Sequence, residues 1–341
     1  MPSLTLEDVA RQSGVSRSTV SRVVNGYPNV RDTVRQKVLE AIQVSGYHPH
    51  AAARTLVSQH SFTLGFILPL SVSHFFTDPY YPHLTKGFAQ ACNLHDYTLA
   101  LFLVGSKEDE ETIFPRVCRR GMLDGVVVQS GHHGDQGIIG QMIDTGIPLL
   151  VLGRPFRSDN VSYIDIDNVN ASTNAVSHLV RLGRKRIGTI SGPMGSTVGI
   201  DRLEGYRKAL LERGMEIDEK LIVEGDFTEA GGYYGMKKLL SSKPDAIFAA
   251  SDVMALGAMR AVREAGLRVP EDIAFVGFDD LPMAVLAEVQ LTTIRQPVVQ
   301  FGSQAVEILI DLIENGIHPP RRVIMDTELI VRESCGASRR N

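Results

Sequence analysis

The sequence predicts a small α-helical head followed by a larger α/β body of two doubly wound lobes with parallel sheets. Apolar residues recur with a helical period over the first 47 residues. From residue 62 onward, apolar strands alternate with amphipathic helices. The chain has 341 residues, which is more than one ordinary core, and about nine strands are too many for one open sheet. Two lobes of similar size therefore follow the head.

The first two helices of the head have clear start and stop signals. Thr5 is a good N-cap, Asp8 completes a capping-box pattern three residues later, and Gly14 ends the first helix. The second helix starts after Ser16 and runs to about Asn25. Its valines point inward, which leaves its polar residues outside. This is the pattern of two helices joined by a tight turn.

A third helix is predicted over residues 32–45, closed by Gly46. The segment that follows, residues 48–61, combines Pro49 with an alanine run, and both favour a helix. Its only large apolar residue in the helical stretch is Leu56, so this helix is too short to be stable alone. We expect it to be a hinge that becomes helical only when another molecule stabilises it.

The sequence of the body predicts a succession of strands and helices. The strand candidates are Thr63–Leu68, Thr98–Val104, Gly125–Gln129, Pro148–Leu152, Ser162–Ile166, Arg186–Ile190, Leu221–Glu224, Ala246–Ala249 and Ile273–Val276. The clearest helices are Asn168–Leu182, Arg202–Glu212, Ala230–Leu240, Val253–Ala265 and Val298–Glu314. Strands without strict polar alternation indicate sheets that are covered on both faces.

Charge is distributed unevenly along the chain. The net charge is −4, yet residues 1–60 hold seven basic and four acidic side chains, a net of +3, so the rest carries −7. A basic head on an acidic body fits a protein that touches DNA at one end.

The three cysteines, Cys92, Cys118 and Cys335, have no metal spacing and suggest reduced thiols. No signal peptide or membrane span is evident, so a cytoplasmic location is expected.

The second helix carries the chemistry for reading DNA. Arg17, Ser18 and Arg22 fall on its outer face, where an arginine can bond guanine O6 and N7 together. Thr19, Ser21 and Asn25 are better placed for phosphates. The alternative is a surface helix that is merely polar and basic, but the complete helix-turn-helix pattern is more specific than charge alone.

With these residues in view, the head resembles the lactose-repressor family of transcription regulators. The matching motifs are Thr5-Leu6-Glu7-Asp8-Val9-Ala10, Gly14-Val15-Ser16, Thr19-Val20-Ser21-Arg22-Val23-Val24-Asn25, Gly46-Tyr47 and Ala53-Arg54-x-Leu56. The resemblance implies that the hinge folds only on operator DNA and that Leu56 wedges into the minor groove. The implied DNA contacts are Thr5, Ser16, Arg17, Ser18, Thr19, Ser21, Arg22, Asn25, Asn29, Tyr47, Arg54 and Leu56.

The body is similar to the family's effector module, a two-lobed, type I periplasmic-binding-protein-like fold. Supporting segments are Asp165-Ile166-Asp167-Asn168, Arg202-x-x-Gly205-Tyr206, Ser251-Asp252-x-Met254-Ala255, Val276-Gly277-Phe278-Asp279-Asp280 and Leu291-Thr292-Thr293-Ile294-x-Gln296-Pro297. We therefore divide the chain into a head (1–47), a hinge and linker (48–61) and a body (62–341). Lobe one is assigned residues 62–161 and 295–325, and lobe two residues 162–294 and 326–334.

The ligand is expected between the lobes, beyond the strand ends. A sugar site needs planar polar groups for hydroxyls and aromatic faces for C–H groups, and the resemblance assigns these roles to Phe75, Phe76, Tyr80, Arg154, Ser196, Val198, Arg202, Phe227, Asp252, Asp279 and Gln296. Plainer interpretations remain open for three of these features. Arg202 could pair structurally with an acid, Phe227 could be core, and the aromatics of residues 75–81 could pack the lobe or a dimer surface.

The implied function is a homodimeric regulator, most simply a repressor of carbohydrate-utilisation genes, that a sugar releases from a pseudo-palindromic operator. Gly153-Arg154-Pro155 and residues 162–168 look similar to regulators that answer to β-glucosides such as cellobiose. A corepressor or activator with a non-sugar effector is the alternative. No cofactor is expected.

Functions of other classes fit less well. Asp279-Asp280 could be a glycosidase pair, but adjacent residues after a strand point apart. His132-His133-x-Asp135 lies in a glycine-rich loop without a fourth metal ligand. Residues 192–199 are glycine-rich, but no Gly-Lys-Ser/Thr follows, as a phosphate loop requires. A periplasmic sugar carrier would share the body but not the helix-turn-helix head.

Overall fold

A computed structural model describes residues 4–24, 27, 29–47, 60–119, 121–130, 138–156 and 160–337. The chain forms two compact units. One comprises residues 1–63 with 119–124, and the other comprises residues 64–118 with 125–341. The hinge segment 48–59, which includes Arg54 and Leu56, lies outside the described residues, as do Asn25 and the candidate metal group at 132–135.

The head consists of helices α1 (Leu6–Ser13), α2 (Arg17–Val24) and α3 (Asp32–Ser45), within a residue or so of the sequence prediction. The capping box of α1 is present, because the Thr5 hydroxyl accepts from the Asp8 N–H while the Asp8 carboxylate accepts from the Thr5 backbone. Gly14 and Gly46 end α1 and α3 in the left-handed conformation, with φ of 69° and 67°.

The three head helices enclose one small core. Val9, Val20, Val38 and Tyr47 are among its buried members. Tyr47 is only 5% exposed, so its side chain packs inside the head rather than on the surface. The chain turns at Gly46 and directs the Tyr47 ring into the core, and the DNA contact predicted at Tyr47 stays a prediction.

The residues just after the hinge are bound by a single carboxylate. Asp124 accepts hydrogen bonds from the Ser61 N–H (2.5 Å), the Ser61 hydroxyl (2.8 Å) and the Phe62 N–H (3.0 Å). His60 Nδ1 lies 3.4 Å from the same side chain, which is 4% exposed. We call this group the linker clasp. Asp124 immediately precedes a strand of the body.

The described residues of the body contain twelve strands: β1 Thr63–Leu68, β2 Thr98–Leu103, β3 Gly125–Gln129, β4 Leu149–Leu152, β5 Ser162–Ile166, β6 Ile187–Ser191, β7 Ile222–Glu224, β8 Ala246–Ala249, β9 Ala274–Asp279, β10 Thr293–Arg295, β11 Arg322–Met325 and β12 Glu328–Ile330. They form two six-stranded sheets, in the orders β11-β5-β4-β3-β1-β2 and β12-β10-β9-β8-β6-β7. Neighbours from β1 through β3, β4 and β5 to β11 are parallel, and in the second sheet only β12 runs antiparallel.

Helices cover these sheets, and two short 3₁₀ turns follow Asp218 and Leu239. The helices of the body are Val72–Thr77, Tyr80–Leu94, Lys107–Val117, Ile138–Thr145, Asn168–Arg181, Thr197–Leu211, Glu229–Leu239, Asp252–Glu264, Pro282–Leu286 and Val298–Asn315. A hydrophobic core of described residues lies in the first lobe, and two others lie on the faces of the second sheet. Strands β3, β4 and β8, which lie inside the sheets, are almost wholly buried, which explains their continuous apolar runs.

The sheet pairing corrects one predicted boundary. Strand β5 was placed in lobe two, but Ser162–Ile166 pairs in parallel with β4 and β11 and therefore belongs to lobe one. The chain first crosses to lobe two between Ile166 and Asn168. Strands β10, β11 and β12 were not among the strand candidates.

No helix in the described part of the chain is long and apolar enough to cross a membrane. Within the same residues, no group of three His, Cys, Asp or Glu side chains is arranged to hold a metal ion.

Candidate functional site

A cavity lies between the two lobes of the body, where the parallel strands end. It contains about 810 Å³ of space free of protein atoms, including the part open to solvent. Doubly wound sheets place their ligands at this edge. Of the eleven predicted ligand residues, those in the cavity wall are Tyr80, Ser196, Val198, Arg202, Phe227, Asp279 and Gln296.

Arg202 is the central polar group of the lobe-two wall. Its Nε donates to Asn168 Oδ1 (2.9 Å) and its Nη1 donates to the Ala250 carbonyl (2.5 Å). Nη1 also lies 3.7 Å from Asp279 Oδ1, and the guanidinium carbon sits 3.6 Å from the centre of the Phe278 ring. Burial lowers the Arg202 pKa, and Asp279 opposes that shift. The planar group is thus held rigidly while it faces the cavity.

Asp279 is held in an unusual backbone conformation at the end of β9. Its φ is 120°, a conformation that costs a non-glycine residue energy and that is concentrated at functional sites. Gln296 Nε2 donates to Asp279 Oδ1 at 2.5 Å. Burial raises the pKa of Asp279 to about 7, against the opposing effect of Arg202. A carboxylate so desolvated gains strongly from a ligand hydroxyl that donates to it.

Phe227 supplies an aromatic face to the same cavity. Its φ is 63°, and the half-buried side chain packs against the edge of a lobe-two core while it also lines the cavity. A Cβ at Gly192 would lie 2.3 Å from the Phe227 ring, so only glycine allows the ring to take this place. The interpretation of Phe227 as plain core therefore does not fit its position in the wall.

Two of the predicted aromatics are not in the wall. Phe75 is buried in the lobe-one core, whereas Phe76 is 74% exposed to solvent. Both lie on the short helix Val72–Thr77, which directs consecutive residues to different sides. The assignment of these two residues to the ligand is wrong, and the lobe-packing alternative applies to Phe75.

Arg154 is also not in the wall, because it binds the opposite lobe. Its Nη2 lies 2.6 Å and 2.8 Å from the two carboxylate oxygens of Asp201. The Thr197 hydroxyl donates to the Arg154 carbonyl oxygen (2.6 Å), and the Arg154 N–H donates to Asp165 (3.0 Å). Arg154 follows β4 of lobe one, and Asp201 lies on a lobe-two helix. We call this pair the interlobe latch.

Asp252 lies beneath the cavity rather than in its wall. The residue is fully buried and accepts from the Leu281 N–H (2.9 Å) and the Thr293 hydroxyl (2.5 Å). Burial raises its pKa well above the ordinary value, and the nearby Asp279 charge adds to the shift. Asp252 thus ties together two strand ends that support the site, and its assignment as a direct ligand contact is corrected.

Sequence reasoning missed much of the lobe-one wall. The residues missed are Asp78, Gln129, Ser130 and Asp165, whereas Tyr81, which also lies in the wall, belongs to the aromatic group considered at residues 75–81. A usable signal existed for Gln129 and Ser130, because they end and follow a correctly predicted strand. Asp78 carries no such signal, since it lies between two helices.

The adjacent carboxylates Asp279 and Asp280 face different surroundings. Asp279 contacts Gln296 and the cavity, whereas Asp280 binds Arg295 Nε (2.7 Å) and Arg332 Nη2 (2.6 Å). The pair therefore does not converge on one bond.

The polar face of the head lies on α2. Arg17, Ser18 and Arg22 are exposed, and the Arg17 Nη1 is 3.4 Å from Glu7 Oε1. The Ser16 hydroxyl accepts from the Thr19 N–H (3.2 Å), so Ser16 caps the helix. Thr5 and Asn29 are exposed, and Ser21 is half-buried. This placement is compatible with the predicted DNA contacts and does not test them.

Two family models match the chain. Residues 5–50 match bacterial regulatory proteins of the lacI family, and residues 176–335 match a periplasmic binding protein-like domain. The chain is also 40% identical over 335 residues to the HTH-type transcriptional regulator CelR of Thermobifida fusca, which covers 97% of this chain and 98% of that protein.

The chain is also similar to solved structures of transcriptional regulators. A complex of the transcriptional regulator CelR with cellobiose has a TM-score of 0.77 and 37% identity, and covers 97% of this chain and 99% of that one. A lac repressor dimer bound to operator and the anti-inducer ONPF has a TM-score of 0.84 and 27% identity, and covers 98% of this chain and 99% of that one.

Proposed function

The chain belongs to the lacI family of bacterial regulatory proteins and is a DNA-binding transcriptional regulator, and we propose that it represses carbohydrate-utilisation genes until a neutral glucose-based saccharide such as cellobiose releases it. The observation that carries the proposal is the cavity itself, in which Arg202, Asp279 and Phe227 present a planar cation, a desolvated carboxylate and an aromatic face. The similarity to a regulator in complex with cellobiose supports the choice of sugar.

Each segment of the chain is assigned a separate task. Residues 1–47 would read the operator, with Arg17 and Arg22 contacting base edges in the major groove. Residues 48–61 would form the hinge helix and the linker that follows it, and Leu56 of the hinge would insert into the minor groove. Residues 62–341 would bind the sugar and hold two subunits together. The similar lac repressor dimer on operator supports a homodimer on a pseudo-palindromic site. We place this protein in the cytoplasm and assign it no catalytic step.

The linker clasp and β3 offer a route between sugar and DNA. Asp124 holds residues 60–62, which continue directly from the hinge. It also precedes β3, whose last residue, Gln129, is in the cavity wall. We propose that lobe closure around the sugar moves β3 and, through the clasp, misaligns the paired hinges.

The test is a titration of cellobiose into the full-length protein with and without an operator duplex that the protein itself selects from a random library. We expect operator to weaken cellobiose affinity by about 5- to 150-fold, because coupling between two sites is reciprocal. Equal affinities in the two titrations would refute release by the sugar. Tighter cellobiose binding on operator would instead establish corepression.

A truncated chain lacking residues 1–60 is the matched control for that titration. It should bind cellobiose as the full-length protein does and should not retard operator DNA. Hypoxanthine serves as the non-sugar ligand, and it should leave the melting temperature unchanged. If no sugar of a broad panel raises the melting temperature, the carbohydrate part of the proposal fails.

Loss of the interlobe latch should weaken sugar binding although neither of its two residues lines the cavity. Asp201→Asn removes the charge that holds Arg154 across the cleft, so the closed form that encloses the ligand becomes less favourable. Because Arg154 is partly exposed, we expect only a fivefold to thirtyfold increase in Kd for cellobiose, or about 1–2 kcal/mol, by calorimetry.

Glu204→Gln is the control for the latch variant, since Glu204 is an exposed acid on the same helix. It should leave the Kd unchanged. An Asp201→Asn protein that binds cellobiose as tightly as the parent would show that the latch has no part in closure.

A further inference from the structure

We infer that Asp78, which shares the lobe-one wall of the cavity with Gln129, restricts the cavity to uncharged saccharides and excludes phosphorylated and other anionic ones. The inference rests on the proposed function, because it names the chemical class of sugar that the same cavity accepts. Neither residue was identified from the sequence.

Gln129 has an atom that a ligand would satisfy. Its Oε1 is buried and has no hydrogen-bond partner. An amide oxygen in this condition carries a free-energy cost unless water or a ligand donates to it. Gln129 is in the wall of the cavity, at the end of β3. A sugar hydroxyl that donates a hydrogen bond fits this oxygen.

Asp78 is a fixed and mostly buried carboxylate. It is 8% exposed, and its Oδ1 accepts from the Tyr80 N–H at 2.9 Å. Its Oδ2 is 3.9 Å from His74 Nε2, beyond hydrogen-bonding distance. Since a carboxylate has about four acceptor positions, Asp78 can accept hydroxyl groups from a ligand. Burial raises its pKa, which fits a carboxylate that lacks strong donors.

The charges in the wall are unbalanced. Asp78, Asp165 and Asp279 contribute three carboxyl groups, and Arg202 is the one cation among the described lining residues. The Arg202 guanidinium is already bonded to Asn168 and Ala250 and lies beside Asp279. A phosphate would therefore find no free cation among these residues and would meet the Asp78 carboxylate in a site of low dielectric constant, where repulsion is strong.

The test compares cellobiose with the 6′-phosphate of the same disaccharide by calorimetry on the full-length protein. The parent should bind the neutral sugar at least 100-fold more tightly. Asp78→Asn removes the charge but keeps the shape, so the affinity ratio should fall by roughly tenfold or more, partly through a gain in phosphate-sugar binding. A gain of binding cannot result from a misfolded protein.

Gln129→Leu should weaken cellobiose roughly tenfold and leave the ratio nearly unchanged, because it removes an acceptor and no charge. Asp144→Asn, an exposed acid of the same lobe, is the control and should change neither affinity. An unchanged ratio in Asp78→Asn, with cellobiose still bound by the parent, would overturn this inference alone. Absence of binding by any neutral saccharide would overturn both the inference and the proposed function.

Discussion

Arg202→Met is expected to produce a repressor that no sugar can release. The side chain has roughly the same length but lacks the guanidinium that faces the cavity, so the affinity for cellobiose should fall by at least 100-fold, or about 3 kcal/mol. Operator binding without sugar should remain, because the head and hinge are unchanged. The measurement is operator retardation across a cellobiose titration, where the variant should stay bound at concentrations that release the parent.

The same substitution should lower the stability of the body. Asn168 Oδ1 and the Ala250 carbonyl would each lose a donor, and Asp279 would lose the neighbouring cation that lowers its pKa. Leaving one partner of a buried charged pair unpaired costs about 3–5 kcal/mol. The melting temperature should fall while unfolding stays cooperative.

Arg207→Met is the matched control for Arg202→Met. Arg207 lies on the same helix, but its partner is Glu219 at the surface, with an Nη2 to Oε1 distance of 3.1 Å. It should respond to cellobiose as the parent does and lose little stability. If Arg202→Met is released by cellobiose at the parental concentration, the cavity is not the site of the sugar signal.

The sequence predicted elements best where local signals were strong. The first and third head helices were found almost to the residue because Thr5, Gly14 and Gly46 mark their ends with side-chain and backbone chemistry that acts locally. Most body strands were found because each is a continuous apolar run and amphipathic helices separate one run from the next. Strand β5 was assigned to the wrong lobe because its partners, β4 and β11, are set by pairing across the chain, which periodicity does not encode.

In the candidate site, too, residues within recognisable motifs were predicted, and those that depend on tertiary contacts were not. Arg202, Phe227 and Asp279 were identified through motifs that the family resemblance carries, and all three lie in the wall. Arg154 and Asp252 have the expected residue types in the expected segments, but their contacts with Asp201 and Thr293 depend on three-dimensional geometry. Asp78 was missed because helix packing alone brings it to the cavity.

Arg22→Ala is expected to have the largest effect on DNA recognition. Arg22 is exposed near the end of α2, and an arginine there can bond one guanine edge with two hydrogen bonds. Loss of such a contact costs about 1–3 kcal/mol, and a symmetric dimer loses it in both half-sites. Specific operator affinity should therefore fall by roughly 30-fold to ten-thousandfold.

The measurement that isolates this contact is a salt titration on the selected operator and on a duplex of random sequence. Because Arg22 would read a base, its removal should reduce specific affinity far more than random-sequence affinity, and base preference should relax at one position of each half-site. Arg11→Ala is the control, since Arg11 is a highly exposed arginine on α1 that lies 3.8 Å from Asp8. Equal losses on both duplexes would mean that Arg22 contacts phosphate, and base recognition would then rest on Arg17 and Ser18.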